Sequence, residues 1–265
     1  MKRIIFTLYR NDLNEHTSVT DYKRLQFAEY EDLIREKQSS YAKSVGADYV
    51  CFEPVSRDYV DVQFEKLLKF EELVKEYDQV LYLDFDVIPS TKTNIFDKFN
   101  GNAIYAFNIE IALDWRMKYY IIKDRMKDGN WHSMDMYSKA QIKKAMLLLN
   151  DITSNDTCLN TGVVLMNKHC VENLKLSERL PSAIDQFNEA LEDNLYPTEM
   201  TQSWCINNEV ILSYLIEEYD LLFTDIGMPW NFIMDHNEQE ISGAAHFLHF
   251  VHKKFENYFI PQEKE

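Results

Sequence analysis

The sequence predicts a mixed α/β domain, and three observations carry that expectation. Short runs rich in β-branched and aromatic residues alternate with segments of helical period. One run, Val80-Leu81-Tyr82-Leu83, is apolar at every position instead of alternating, the pattern of a strand covered on both faces by helices. No Pro-, Gly- or Ser-rich linker, internal repeat or low-complexity tract divides the 265 residues, which points to one domain over 1–265.

Taken in order, strands are expected over 3–8, 48–52, 79–83, 103–107, 162–166 and 244–251. The onset Met1-Lys2-Arg3 is basic, but the apolar stretch after it is too short for a signal peptide and reads as the first strand. Helical faces follow from the i, i+3, i+4 spacing of Leu67, Phe70, Leu73, Val74 and Tyr77, of Ile142, Ala145, Met146 and Leu149, and of Val210, Ile211, Tyr214 and Leu215. On the second of these, Lys143-Lys144 reads as the wet face. The least apolar interior stretch, 123–138, carries the turn signal Asp128-Gly129-Asn130 and is expected to be a mobile loop, and 260–265 a frayed tail.

Composition excludes several classes. Six scattered glycines leave no G-x-G-x-x-G fingerprint and no phosphate loop. The balance of 28 Lys plus Arg against 44 Asp plus Glu, a formal charge of −16, argues against a nucleic-acid partner. No run of about 18 apolar residues occurs, so no integral membrane segment is expected and the chain reads as cytoplasmic. Cys51, Cys158, Cys170 and Cys205 form no C-x-x-C pair and read as reduced, buried thiols.

The chemistry concentrates at Asp84-Phe85-Asp86, the only Asp-x-Asp in the chain, placed directly after the all-apolar run. Ligands of open α/β sheets bind beyond the carboxyl ends of strands. Two carboxylates there repel and raise one another's pKa unless a cation intervenes, and a hard divalent ion resolves that conflict while bridging to substrate phosphates. The plainer reading is a pair of solvated strand-end or capping acids.

Leu81-Tyr82-Leu83-Asp84-Phe85-Asp86-Val87 resembles the DxD strand end of GT-A fold glycosyltransferases, and other landmarks follow in the order found in the glycogenin-like family 8 enzymes. Phe6-Thr7-Leu8-Tyr9-Arg10-Asn11-Asp12 is similar to their first strand and uridine-holding turn, and Lys66-Leu67 to the donor-holding lysine ahead of the DxD. Asn160-Thr161-Gly162-Val163 resembles F-N-[ST]-G-[VI], with Leu159 for Phe, and Pro229-Trp230-Asn231 resembles L-P-x-x-[WY]-N, with Met228 before the proline. The stretch Ala245 to Lys254 resembles the closing H-F-x-G-x-x-K element, but the expected Gly is replaced by His249 or His252, depending on which histidine is the ligand. Alternation along a strand sets His246 and His252 opposite His249.

The resemblance spans Thr7 to Lys254 and implies a GT-A-type, Rossmann-like domain with a central mixed, mostly parallel sheet flanked by helices. It implies a retaining transferase that uses a nucleotide-sugar donor, usually UDP-linked, Mn²⁺ or Mg²⁺, and a glycan or other hydroxyl acceptor. Carried over by position, the metal ligands are Asp84, Asp86 and His249, with His246 as alternate. Donor contacts fall on Thr7, Leu8, Tyr9, Arg10, Asn11, Lys66, Asp84, Phe85, Asp86, Asn208 and Lys254. The family's Asp-Gln pair is missing from the late helix, and Asn207-Asn208-Glu209 stands there. Glu209 is the candidate nucleophile or charge stabiliser, or simply a first-turn acid, and Asn160 is a candidate contact to sugar hydroxyls. Trp115, Trp131 and Tyr137 are candidates to stack on an acceptor sugar.

Two rival readings remain. Haloacid-dehalogenase-like phosphatases also place D-x-D-V after an apolar strand, but they carry it on the first strand with a later Gly-Asp or Asp-Asp pair, and neither dipeptide occurs here. The altered closing element leaves room for a non-catalytic sugar-nucleotide-binding module.

Overall fold

The computed structural model describes residues 1–12, 21–108, 134–155, 158–193, 207–234 and 245–259. The main sheet joins β1 (Arg3–Leu8), β2 (Asp48–Phe52), β3 (Gln79–Leu83), β5 (Ile104–Asn108), β6 (Leu159–Asn167) and β7 (Phe223–Asp225) in the order β2-β1-β3-β6-β5-β7. Strand β6 pairs antiparallel with both β3 and β5, and the other neighbours are parallel, so five of the six strands run one way. This is the mixed, mostly parallel sheet that was expected. A small second sheet has β9 (Phe247–His249) between β4 (Val87–Pro89) and β8 (Phe232–Ile233).

Alternation explains the layers. On β1 and β3, Ile4, Phe6, Leu8, Val80 and Tyr82 pack into one apolar cluster, and Ile5, Leu81 and Leu83 into another on the opposite face. The first cluster is roofed by α2 (Tyr59–Leu73), α4 (Met134–Leu148), α5 (Lys168–Leu174), α6 (Leu176–Glu192) and α7 (Asn208–Glu218). The second is closed by Tyr41, Ala42 and Val45 at the end of α1 (Asp21–Ser44), by Ile95 and Phe96 of α3 (Ile95–Lys98), and by Trp230 and Phe247. Full burial on both faces is why β3 reads as uniformly apolar, each such side chain contributing about 1.5–3 kcal/mol. Asp58 caps α2 through Val60 and Asp61, and Asn207 caps α7 through Glu209 and Val210.

Several expectations need adjustment. The segment expected over 244–251 pairs only at Phe247–His249, because it bridges two short strands instead of extending the main sheet. Helix α4 begins at Met134, inside the expected loop, whose residues 123–133 lie outside the described ones, as do Trp115, Trp131, Cys205 and the tail 260–265; nothing is described of the Tyr137 side chain. Lys143 is not on a wet face: it is fully buried because Glu217 and Asn155 satisfy its ammonium. The other three cysteines are free, Cys158 and Cys170 buried but Cys51 only half-buried, and burial pushes the Cys158 thiol up to about 12. Among the described residues, no helix is long and apolar enough to cross a membrane.

Candidate metal centre

Asp84-Phe85-Asp86 is the link between the two sheets. Asp84 N–H donates to the Gly162 carbonyl at 2.8 Å, prolonging the β3–β6 ladder by one step. Val87 N–H then closes a turn onto Asp84 O at 2.9 Å, and Phe250 N–H donates to Asp86 O at 3.0 Å. Gln38 of α1 fixes the same turn from beneath, its Nε2 donating to the carbonyls of Asp84 and Val87. Because β6 runs antiparallel to β3, its starting residues Asn160-Thr161-Gly162 arrive beside the end of β3 where Asp84 stands.

Three groups converge. One ligand atom each from Asp84, Asp86 and His249 lie within 4.8 Å of one another, the only such group of three or more among the described residues. His249 Nε2 is 3.5 Å from Asp86 Oδ2 and 4.0 Å from Asp84 Oδ2. Two carboxylates and an imidazole fit a divalent cation of the Mg²⁺ or Mn²⁺ kind, which takes oxygen ligands and tolerates imidazole. The choice of His249 over His246 agrees with this geometry: His246 lies against the Trp230 ring at 4.2 Å between centroids, and burial lowers its pKa.

Both carboxylates already meet an ammonium. Lys66 Nζ donates to Asp84 Oδ1 and to the Thr161 carbonyl, each at 3.2 Å, and Tyr82 OH donates to the same Oδ1 at 2.6 Å. Lys253, a residue sequence reasoning passed over in favour of Lys254, pairs with Asp86 Oδ2. Burial opposes ionisation of Asp86, but Lys253 and His249 outweigh it and hold its carboxyl well below the usual range. His249 is shifted the other way: burial alone would lower its pKa, and the Asp86 and Asp84 carboxylates hold it raised.

Gly162 shows why the Asn-Thr-Gly element needs its glycine. A Cβ there would stand 2.5 Å from His249 Cε1 and 2.9 Å from Nδ1, so only hydrogen leaves room for the imidazole. Behind the ring runs a buried polar chain. Asn231 Oδ1 is 2.8 Å from His249 Nδ1, Asn231 Nδ2 donates to Asn160 Oδ1 at 2.6 Å, and Asn160 Nδ2 donates to Glu209 Oε1 at 2.9 Å. Lys139 of α4 completes it, donating to Glu209 Oε2 at 2.5 Å. Lys139 carried no sequence signal beyond its place four residues before Lys143 on one helix face.

The remaining expected residues sit at the same end of the sheet. Thr7, Leu8 and Tyr9 are buried at the close of β1, and the Thr7 hydroxyl finds no hydrogen-bond partner among the described residues. Tyr9 stacks on Phe85 with ring centroids 3.7 Å apart, so Phe85 is packed in the core cluster with Tyr9 and Phe27 and turns no free face outward from that stack. Arg10 is tied down by Asp12, Glu53 and the Pro54 carbonyl, and Asn11 is exposed. Asn208 opens α7 with a buried Nδ2 that lacks a partner among the described residues. Unpartnered buried amides and hydroxyls are costly, and a bound ligand is one way to satisfy them.

No family model matches the chain, and no curated protein does. Among solved structures, it is similar to a glycosyltransferase involved in the glycosylation of the major capsid of PBCV-1, at a TM-score of 0.48 and 12% identity, covering 95% of this chain and 93% of that one. It is similar as well to an active-site mutant of LgtC (TM-score 0.49) and to the galactosyltransferase LgtC in complex with donor and acceptor sugar analogues (TM-score 0.45). Both are 12% identical and aligned over 94% of this chain and 87% of theirs.

Proposed function

We propose that the chain is a metal-dependent glycosyltransferase that moves a sugar from a nucleotide-sugar donor, UDP-linked, to a hydroxyl acceptor such as a glycan, with retention. The observation that carries this reading is the Asp84–Asp86–His249 group, whose two carboxylates are already matched by the ammonium groups of Lys66 and Lys253. A divalent cation held by these three residues, Mn²⁺ or Mg²⁺, adds positive charge to a site already neutralised and so favours a departing diphosphate. Lys66 holds Asp84 in place, Lys253 pairs with Asp86, and Lys254, next in the chain, is the candidate contact to the diphosphate. The end of β1, from Thr7 to Asn11, takes the nucleoside, with the Thr7 hydroxyl and the Asn208 amide, which have no partner among the described residues, as polar contacts to the donor. Asn160 and Glu209 sit in the layer behind the cation. With Asn160 on one oxygen and Lys139 on the other, Glu209 has its charge balanced and is a poor free nucleophile, so its role is that of a fixed group in the layer behind the cation.

The test is a screen of UDP- and GDP-linked sugars for nucleotide release with Mn²⁺, with EDTA, and with Asp84→Asn. The expected result is Mn²⁺-dependent release of UDP from one donor, abolished by EDTA and by the substitution. Release of phosphate from aryl phosphates instead would move the assignment to the phosphatases. Cation-dependent donor binding without turnover would make this a binding module.

A further inference from the structure

The buried chain behind His249 has a direction, and the direction is set at its far end. Glu209, as a carboxylate facing the Lys139 ammonium, accepts hydrogen bonds and donates none. Asn160 therefore turns its NH₂ toward Glu209 Oε1. Its carbonyl must face the other way, and there the backbone N–H of Gly162 donates to Oδ1 at 3.0 Å. A backbone N–H can only donate, so the two ends of Asn160 settle its orientation independently. With that oxygen fixed, Asn231 approaches it through Nδ2 and presents its own Oδ1 to His249 Nδ1, 2.8 Å away. An acceptor at that distance requires hydrogen on Nδ1, which leaves Nε2, the nitrogen nearest Asp84 and Asp86, to offer the lone pair.

We infer that Glu209, anchored by Lys139, is a positioning residue that sets the tautomer of His249 through Asn160 and Asn231, so that Nε2 is the nitrogen presented to a cation. The inference rests on the reading of Asp84, Asp86 and His249 as a cation site. All five members of the chain are buried, Asn231 completely, so water is a poor substitute for a lost link and reversing one amide sets like groups face to face. The opposite pull, a hydrogen on Nε2 shared with Asp86, acts across 3.5 Å and is the weaker of the two. Partners that orient a metal-binding histidine typically change metal affinity by about 10–100-fold when removed.

The first experiment needs no variant. Two-bond ¹H–¹⁵N spectra of the cation-free protein with ¹⁵N-labelled histidine, at a pH where the ring is neutral, should give His249 as the Nδ1–H tautomer. An Nε2–H tautomer overturns the inference even if Mn²⁺ binds tightly. A failure of the wild type to bind Mn²⁺ with the Nδ1–H pattern in place removes the cation reading, and with it the role given to the chain. Calorimetry with Mn²⁺ then follows Glu209→Gln and Asn231→Leu, each expected to weaken binding by about 10–100-fold. Because both act through one chain, the double variant should lose little more than Asn231→Leu alone, and fully additive losses overturn the inference. Should Glu209→Gln fail to fold, the wild-type spectrum and Asn231→Leu still decide.

Discussion

Two buried carboxylates in this protein each meet a lysine, and they are built for different ends. Asp86 pairs with Lys253, yet a second carboxylate and an imidazole crowd within 4.8 Å of it. Glu209 pairs with Lys139, and its other contacts are a neutral amide and the Thr161 backbone N–H at 3.4 Å. Around Asp86, a second carboxylate and an imidazole converge on one point although Lys253 and Lys66 already match the two charges, and that convergence of ligand atoms is what a divalent cation uses. Around Glu209, each oxygen has its donor and the charge is balanced, which is the condition of an anchor. An acid beside a lysine is thus not diagnostic by itself. What separates the two sites is whether further ligand atoms converge on the same point.

The strongest way to break this comparison is to remove one acid of the open site. Asp86→Asn should lower Mn²⁺-dependent nucleotide release by on the order of 10²–10³-fold, read in the same donor assay, while leaving the protein folded. Retained activity would mean that the converging groups are not a cation site. A smaller effect is expected at the closed end. Lys143→Met, one helical turn beyond Lys139, strips the partner from the mostly buried Glu217 and should cost about 3 kcal/mol in denaturant unfolding, with turnover per folded molecule unchanged. A neutral outcome in unfolding would show that water reaches Glu217 and that this pair is not part of a closed layer. Smaller again is Gly162→Ala, whose Cβ would press on the His249 ring and should cost about 1–3 kcal/mol of stability together with a loss of Mn²⁺ affinity. A stability loss with unchanged affinity would show that the ring can shift without leaving the site.

Much of the open site was legible because it is local. Asp84, Asp86 and the all-apolar strand before them are consecutive in the chain, and the strands expected over 3–8, 48–52 and 79–83 have those bounds in the structure. Strand alternation sets His249 on the face opposite His246, so the two do not both serve, but it does not choose between them. The closed site was not legible. Its pairings join Lys139 to Glu209 and Lys143 to Glu217 across about seventy residues, and helical periodicity assigns a lysine to solvent unless a distant acid is known to meet it. The reversed direction of β6 was equally hidden, because pairing direction leaves no mark on an apolar run such as Val163-Val164-Leu165-Met166, yet it is what carries Asn160 and Gly162 to Asp84. That Lys253 meets Asp86 was hidden for a local reason: Lys253 takes a left-handed backbone conformation (φ 61°) that redirects the chain after β9 and that no alternation rule anticipates.

The smallest effect sharpens the comparison most, because pH acts on the open site with two opposite signs. His249 has a raised pKa in the folded protein, since Asp86 and Asp84 outweigh burial, and Asp86 a lowered one, since Lys253 and His249 outweigh burial. A raised imidazole contributes stability that is fully present below its unfolded value of about 6.5 and is lost as pH rises through the folded value. A lowered carboxyl contributes stability present above about 3.9 and lost as pH falls through its folded value. The cation-free protein should therefore be most stable between these two limits and lose melting temperature as the pH is raised past neutrality. Cation binding must slope the other way, because a ligand on Nε2 displaces the proton that Asp86 and Asp84 favour there. Over the same range, Mn²⁺ affinity should rise by up to about tenfold per pH unit while the cation-free melting temperature falls. In His249→Asn both slopes should flatten together. An affinity that stays flat with pH in the wild type would detach His249 from the cation and leave Asp84 and Asp86 as a site of oxygens alone.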